Sequence, residues 1–329
     1  MIESQDKLVN KDMQQEVVNK IVEYMNGDYI FQEKAEEASE LLVSKLHNGE
    51  YDRFEESNDF AAALTEDLQK VTQDKHIRVR FKTDSQLVVK EPNEATLFEE
   101  YKRKAKANNY GFHKVERLNG NIGYIDLRGF EHTQLGGETA VHAMNFLNNT
   151  EAIIFDLRKN GGGSPEMIAL LSSYLFEDVT HLNNFYYRPA DFHRQSWTLP
   201  YVPGTKYLNK PVYVLTSDYT FSAAEEFTYN LKNLKRATIV GELTGGGAHP
   251  GGMRQINKNY SVFIPTGRAI NPITNTNWEG TGVEPDVKLT KEEAFDYAYK
   301  EALNYVKEKY QDSREYQFLV DEVEGALKS

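Results

Sequence analysis

The chain has 329 residues, with 38 lysines and arginines against 50 aspartates and glutamates, for a formal net charge of −12. This acidic balance argues against nucleic acid or an anionic membrane as the main partner, because lysine and arginine drive phosphate binding. The sequence contains no cysteine, which excludes disulfides, thiolate nucleophiles and cysteine-ligated metal sites. No apolar run approaches the roughly 18 residues that indicate a membrane span.

The first 75 residues show apolar side chains at helical spacing. Val17, Val18, Ile21 and Met25 illustrate the pattern, and turn residues at 26–28 and 47–49 interrupt it. We therefore predict three helices before residue 74 and treat 1–75 as an N-terminal helical bundle. A strand follows at 76–81 and a short helix at 98–106, within a connecting segment that runs to residue 121.

Beyond residue 121 strands and helices alternate. Strands are predicted at 122–127, 152–157, 212–216 and 238–241. Helices are predicted at 138–147, 165–176 and 222–234. Short buried strands separated by helices of this length are typical of a largely parallel sheet with helices on its faces, so residues 122–310 are expected to form an α/β core. A surface helix at 291–309 and a charged tail at 311–329 complete the chain.

A glycine-rich turn follows the predicted strand at 152–157. Gly161, Gly162 and Gly163 stand directly before the next helix. Ligands of open α/β sheets bind beyond the carboxyl ends of the strands, and such a turn exposes backbone N–H groups to an anion or a developing oxyanion. A tight strand-to-helix connection without a ligand is the alternative. The turn matches neither the GxGxxG pattern of dinucleotide-binding proteins nor the P-loop pattern with its lysine.

Ser222 stands at the next strand-to-helix corner, where its hydroxyl would face the same edge of the sheet as a nucleophile. Glu225 follows three residues later, and this spacing also matches a capping box, which stabilises a helix start without chemistry. Both interpretations stay open at this point.

A nucleophilic serine needs a base, and two of the eight histidines are candidates. His76 lies where the helical bundle gives way to a strand, and His249 lies in a glycine-rich loop. A structural role is the alternative for each. An orienting carboxylate could come from Glu279, which Trp278 precedes in a long loop. No HExxH motif is present, so a zinc site of that type has no support and no metal is expected.

Six segments, taken in chain order, resemble the tail-specific or C-terminal processing serine protease family. They lie at 74–76, 120–125, 156–163, 220–225, 240–244 and 282–286. Within that family they are most similar to the tricorn-type core and to the repeats of interphotoreceptor retinoid-binding protein. The resemblance spans most of residues 28–310.

The resemblance implies a crotonase-like α/β core, a spiral of ββα units, preceded by the small helical domain. It implies Ser222 as the nucleophile and the N–H groups of Ala223 and Gly162 as the oxyanion hole, with Gly161 as a supporting residue. One branch of the family pairs its serine with a lysine in a Gly-Lys-Gly segment. The corresponding segment here, 245–249, contains no lysine.

The tricorn-type arrangement takes its histidine and glutamate from motifs that correspond to His76 and Glu279. These residues imply a Ser-His-Glu relay. Lys75 replaces the serine that precedes this histidine in the tricorn pattern. His249 remains a second candidate base, and Glu225 either supports the site or only caps the helix. Only 45 residues separate His76 from Ile122, too few for a separate PDZ-like domain.

By resemblance, the chain is expected to be a serine endopeptidase that acts on peptides or unfolded proteins, without a cofactor, a nucleic-acid partner or a membrane span. A non-catalytic binding protein for lipophilic ligands is the alternative, because the retinoid-binding relatives use this fold in that way. Crotonase-like acyl-CoA chemistry is a weaker third candidate, since no basic site for CoA is evident. The resemblance also favours an exported mature chain without its signal peptide, with a cytoplasmic location still open.

Overall fold

The computed structural model describes residues 9–83 and 94–328. The start of the chain, to which the expectation of a missing signal peptide refers, lies outside the described residues. The chain divides into two compact units. The first comprises Met1–Leu97, Asn184–Arg194 and His249–Ile270, and the second comprises Phe98–Asn183, Gln195–Ala248 and Asn271–Ser329.

The first unit begins with the three predicted helices, which the structure confirms as α1 (Lys11–Asp28), α2 (Gln32–His47) and α3 (Ser57–Thr72). α1 starts where the Asn10 side chain accepts a hydrogen bond from the Met13 N–H at 2.9 Å, as an N-cap does. Each helix buries one apolar face, and together these faces make the helical part of a single core.

The same core includes an antiparallel sheet whose strands come from distant parts of the chain. The sheet has the order β1, β10, β9. Its strands are β1 (Arg78–Phe81), β9 (Gly251–Gln255) and β10 (Tyr260–Pro265). Tyr260, Val262 and Ile264 alternate along β10 and pack with the helices, because side chains at every second position of a strand share a face. Strand β1 falls within the predicted strand at 76–81.

A second antiparallel sheet has the order β11, β5, β6. Its strands are β5 (His181–Tyr187), β6 (Phe192–Trp197) and β11 (Gly267–Ile270). None of these three strands appears among the sequence predictions.

The second unit is built on a six-stranded mixed sheet with the order β12, β8, β7, β4, β3, β2. Its strands are β2 (Phe112–Leu118), β3 (Ile122–Leu127), β4 (Ala152–Asp156), β7 (Val212–Thr216), β8 (Thr238–Gly241) and β12 (Val287–Lys288). All neighbours are parallel except β2 and β3, so the predicted parallel sheet is confirmed with one antiparallel edge strand.

Helices cover both faces of this sheet. The helices after residue 93 are α4 (Glu94–Ala107), α5 (Thr133–Leu147), α6 (Pro165–Ser173), α7 (Ala223–Asn233), α8 (Ala294–Tyr310) and α9 (Gln317–Ala326). Ile153 and Phe155 of β4 belong to a core with α5, α6 and α7. Ile154, which points to the opposite face, belongs to a core with α8 and α9.

Strands β4 and β7 are direct parallel neighbours, with Ile153 opposite Val212. Their carboxyl ends therefore lie side by side, and the loops that follow them emerge together. Within the described ranges, no helix has the length and apolar character needed to cross a membrane.

Candidate functional site

Ser222 lies in a strained turn between β7 and α7. Its backbone angles are φ 57° and ψ −120°, whereas an N-cap residue normally lies in the extended β region. Positive φ costs a non-glycine residue roughly 1–3 kcal/mol, and such strain concentrates at functional sites. Helix capping alone does not require this conformation. The turn has the form of an elbow that presents a serine hydroxyl at the end of a strand.

Glu225 holds this elbow in place. The predicted Ser222–Glu225 capping box is present, and the Glu225 carboxylate accepts a hydrogen bond from the Ser222 N–H at 2.9 Å. The same fully buried carboxylate accepts from the N–H groups of Gly246 and Gly247 at 2.7 and 2.8 Å, and from the Thr244 hydroxyl. Glu225 therefore ties the start of α7 to the loop after β8.

Burial raises the pKa of Glu225, whereas the hydrogen bonds from Thr244, Gly247, Gly246 and Ser222 lower it. The net result is a pKa of about 6. The pKa of this carboxyl thus lies above the usual range for glutamate because the cost of desolvating its charge outweighs the donors around it. Above that pH the carboxylate is the form that can accept from all of these donors.

The glycine turn packs directly against the elbow. A Cβ atom on Gly162 would lie 2.8 Å from the Ser222 Cβ, 2.9 Å from the Phe221 carbonyl oxygen and 3.0 Å from the Ala223 nitrogen. Gly162 also has φ +110°, which favours glycine. Only a residue without a side chain therefore allows this approach to Ser222.

Asn160 positions both loops, although the sequence analysis assigned it no role. It is fully buried, and its amide nitrogen donates to the Leu127 carbonyl oxygen at 2.9 Å. Its side-chain oxygen accepts from the Gly162 N–H at 2.9 Å, and its backbone oxygen accepts from the Phe221 N–H at 3.1 Å. One buried asparagine thus links a sheet strand, the glycine turn and the elbow through its side chain and its backbone.

The N–H groups near Ser222 differ in how they are used. The Gly162 N–H already donates to Asn160, so it could serve an oxyanion only by sharing its hydrogen. The N–H groups of Ala223 and Gly163 have no hydrogen-bond partner within residues 9–83 and 94–328. Backbone N–H donors of this kind suit an anion rather than a metal ion.

Glu279 and Trp278 support the loop that Glu225 holds. The Trp278 indole N–H donates to the Gly247 carbonyl oxygen at 2.7 Å, and the Glu279 carboxylate accepts from the Ala248 N–H. Trp278 is almost fully buried. The segment 244–248 is therefore fixed by hydrogen bonds to Glu225 of α7 and to Trp278 and Glu279 of the later loop.

In the first unit, Asp74 lies beside the two candidate histidines. Its fully buried carboxylate is 2.7 Å from His249 Nδ1. It also accepts from the His76 N–H at 3.0 Å, and the His76 Nδ1 is 3.6 Å away. The His76 ring stacks on Phe263, with centroids 5.9 Å apart. A buried carboxylate at hydrogen-bond distance from an imidazole Nδ1 can orient the ring and stabilise its charged form.

Asp74 makes the stability of the chain depend on pH. Burial raises its pKa, but hydrogen bonds to His249 and His76 lower it more, to about 2 from 3.8. A carboxyl group with a lowered native pKa contributes stability above its unfolded pKa and loses it as the pH falls. We expect Asp74 to contribute about 2 kcal/mol at pH 5 and about half of that at pH 3.

Urea unfolding of Asp74→Asn between pH 5 and pH 3 measures this contribution. The stability difference between the parent and the variant should shrink by about 1 kcal/mol over that range. Asp312→Asn, which changes an exposed aspartate, serves as the control and should show no such change. A constant difference for Asp74→Asn would mean that the histidines do not lower the pKa of this carboxyl.

The predicted site residues fall in both units. His76, Lys75 and His249 belong to the first, and Lys75 is exposed. The second contains Ser222 with its neighbours Ala223 and Glu225, the turn 161–163, and Glu279. The structure brings Ser222, Ala223, Glu225 and Gly162 together. Asp74 and Asn160 are the residues whose roles the sequence analysis missed, although both stand two positions before a predicted site residue.

Known proteins share both parts of this architecture. Residues 121–289 match the family model described as peptidase family S41. Residues 7–109 match the model described as the N-terminal domain of peptidase S41 in eukaryotic IRBP. The first match covers the mixed sheet except β2, together with the glycine turn and the serine elbow.

A curated relative shows the same similarity over part of its length. The chloroplastic carboxyl-terminal-processing peptidase 2 of Arabidopsis thaliana is 30% identical over 184 residues, which are 53% of this chain and 34% of the relative. The match thus spans about a third of the length of that relative.

Two solved structures share the fold. A lipoprotein from Streptococcus agalactiae has a TM-score of 0.57 at 17% identity, with 90% of this chain and 96% of the other covered. The photosystem II D1 C-terminal processing protease has a TM-score of 0.51 at 15% identity, with 85% and 94% covered. Because a family model matches more than half of the sequence, the chain belongs to peptidase family S41.

Proposed function

We propose that this chain is a serine peptidase that hydrolyses peptide bonds in peptides or unfolded protein segments. The observation that supports the proposal most strongly is the strained conformation of Ser222 at the end of β7, with the glycine turn packed against it. The family supports the same reaction class. The name of the Arabidopsis relative suggests carboxyl-terminal segments as substrates.

In this mechanism the Ser222 hydroxyl oxygen forms a bond to the carbonyl carbon of the substrate, and a histidine takes the hydroxyl proton. The histidine then gives that proton to the leaving amine as the peptide bond breaks, and water hydrolyses the acyl-enzyme. The Ala223 N–H and one N–H of the glycine turn would stabilise the oxyanion. We propose Gly162 for this role, as the resemblance implies, with Gly163 as the alternative because Gly162 already donates to Asn160.

For the base we propose His76 with Glu279 as its carboxylate, which is the Ser-His-Glu relay that the resemblance implies. A second candidate is His249, and its support is the contact of 2.7 Å between its Nδ1 and the buried Asp74. The two candidates predict different effects of substituting His76 and His249, so one experiment distinguishes them.

The test is labelling with a fluorophosphonate probe, which reacts with activated serines. We expect the parent to be labelled and His76→Gln to lose labelling by at least about 100-fold, since general-base catalysis contributes about 10²–10⁴. His249→Gln should keep most of the labelling. His47→Gln changes an exposed histidine of α2 and serves as the matched control.

Each contrary result has a definite meaning. Loss of labelling in His249→Gln together with full labelling in His76→Gln would assign the base to His249 and replace Glu279 by Asp74. Failure of the folded parent to be labelled and to cleave unfolded casein would contradict the peptidase proposal itself.

A second candidate function is binding of a lipophilic ligand without catalysis. Its specific support is the match of residues 7–109 to the N-terminal domain found in eukaryotic IRBP. A parent that binds retinol with micromolar or tighter affinity, while Ser222 stays unlabelled, would favour this function.

We also propose that the second unit is crotonase-like, a spiral of ββα units, and that the protein is exported. Both proposals rest on the resemblance to the protease family. The α/β fold with a mixed sheet is compatible with the first of them.

A further inference from the structure

The second unit has a cleft of about 600 Å³ beside the glycine turn. Gly162, Gly163 and Ser164 form part of its wall. Because Gly162 packs against Ser222 and Ala223, the cleft opens next to the place where the carbonyl group of a bound substrate would lie. A side chain adjoining that carbonyl is therefore the part of a substrate that could enter it.

Three aromatic residues belong to the remaining wall, and two of them are exposed. Phe98 and Tyr101 come from α4, and Phe130 comes from the segment after β3. Phe98 and Tyr101 are 49% and 43% exposed, so both rings are accessible to a ligand in the cleft. The π faces of such rings attract both apolar groups and cations.

The charged residues of the cleft indicate whether it suits an apolar group or a cation. Glu131 is the acidic residue in the wall, and no lysine or arginine lines the cleft, all of whose lining residues the structure describes. The wall also contains His132, whose Nδ1 accepts a hydrogen bond from the Gln134 N–H at 3.2 Å. The wall therefore contains one acidic side chain and no lysine or arginine.

Tyr101 orients the Glu131 carboxylate by donating its hydroxyl hydrogen to it. Burial, together with the hydrogen bond and charge of Glu131, raises the pKa of Tyr101 to about 12, so the phenol remains a donor at neutral pH. A carboxylate accepts up to about four hydrogen bonds, and the one from Tyr101 leaves capacity for a ligand.

We propose that this cleft receives a lysine or arginine side chain of the substrate, at the residue that supplies the scissile carbonyl. The aliphatic stem would lie along the exposed ring of Phe98, and the cation would pair with Glu131. This assignment rests on the proposed peptidase function, because the carbonyl group bound near Ser222 places the side chain. The assignment predicts a preference for basic side chains, which membership of the family does not by itself imply.

Peptide aldehydes test the proposal because their last side chain is the one beside the reactive carbonyl. Ser222 adds to the aldehyde carbon and the hydroxyl proton moves to the aldehyde oxygen, so the bound compound blocks labelling. We expect acetyl-Leu-Leu-argininal to prevent fluorophosphonate labelling at about a tenfold lower concentration than acetyl-Leu-Leu-norleucinal. Norleucine has a similar aliphatic length without the charge.

Glu131→Gln should reduce this preference to less than about threefold by weakening the effect of the argininal and not that of the norleucinal. Glu138→Gln changes an exposed acid on α5 outside the cleft, and it should keep the full preference. Equal labelling rates would show that the Glu131 variant is folded and reactive.

The outcomes separate this proposal from the function on which it rests. If the parent is labelled but shows no preference for the argininal, or if Glu131→Gln keeps the preference, the assignment of the cleft is wrong and the peptidase proposal stands. If neither labelling nor cleavage occurs, the peptidase proposal fails, and the assignment of the cleft fails with it.

Discussion

Replacing Ser222 with alanine is expected to abolish fluorophosphonate labelling and to lower peptide hydrolysis by a factor on the order of 10⁶, as loss of a nucleophilic serine does elsewhere. The physical reason is that Ser222 supplies the hydroxyl at the elbow, beside the proposed oxyanion donors of Ala223 and the glycine turn. Labelling intensity and cleavage of a quenched fluorescent peptide measure the effect.

The same position offers a test of the strain in the elbow. Ser222→Gly and Ser222→Ala both remove the hydroxyl, but glycine adopts φ 57° without the steric cost. The glycine variant should therefore be more stable than the alanine variant by about 1 kcal/mol in urea unfolding. An alanine variant that is equally stable and still labelled would contradict both the strained geometry and the role of Ser222.

The second large effect is expected from Gly162→Ala. The added methyl group would lie within 3.0 Å of atoms of Ser222, Phe221 and Ala223, two of them backbone atoms that cannot move aside cheaply. Together with φ +110°, this crowding should lower the free energy of unfolding by about 2–5 kcal/mol. Displacement of Ser222 should also lower the labelling rate by about 100-fold or more.

Gly325→Ala in α9 provides the matched control. A methyl group there would meet no atom within 4 Å, and alanine favours a helix over glycine, so this variant should be as stable as the parent or up to about 1 kcal/mol more stable. A Gly162→Ala protein with the stability and labelling rate of the parent would show that the glycine turn does not contact the elbow.

Local periodicity was sufficient to predict most helices and the parallel strands other than β12. The helices α1 to α3 were predictable because their buried residues recur at helical spacing over three or more turns. Strands β3, β4, β7 and β8 were predictable because short buried runs alternate with helices. The antiparallel strands β10 and β11 were not, since β10 pairs with β1 and β11 pairs with β5, which lie far away in sequence.

Strand β10 illustrates why pairings between distant segments cannot be predicted from local sequence patterns. Its residues pair with β1, about 180 positions earlier in the chain, with Arg78 opposite Phe263. No local pattern around Phe263 indicates that partner, because the pairing depends on the core that the two segments share with α1 to α3. Burial of common apolar surface, rather than intrinsic strand propensity, selects it.

In the candidate site, too, some features follow from the sequence alone and others only from the tertiary structure. The sequence by itself determined the chemistry available: a serine at a strand-to-helix corner, glycines after the neighbouring strand, two histidines in loops and no cysteine. These follow from residue identity and local spacing, and the order of the segments was enough to indicate a protease family.

Only the tertiary structure decided which groups act on one another. It placed the Asp74 carboxylate 2.7 Å from His249, although 175 positions separate them. It also gave Ser222 its positive φ and engaged the Gly162 N–H with Asn160. Contacts of this kind depend on sub-ångström packing of distant segments and on which buried donors find acceptors. Sequence spacing carries no information on either.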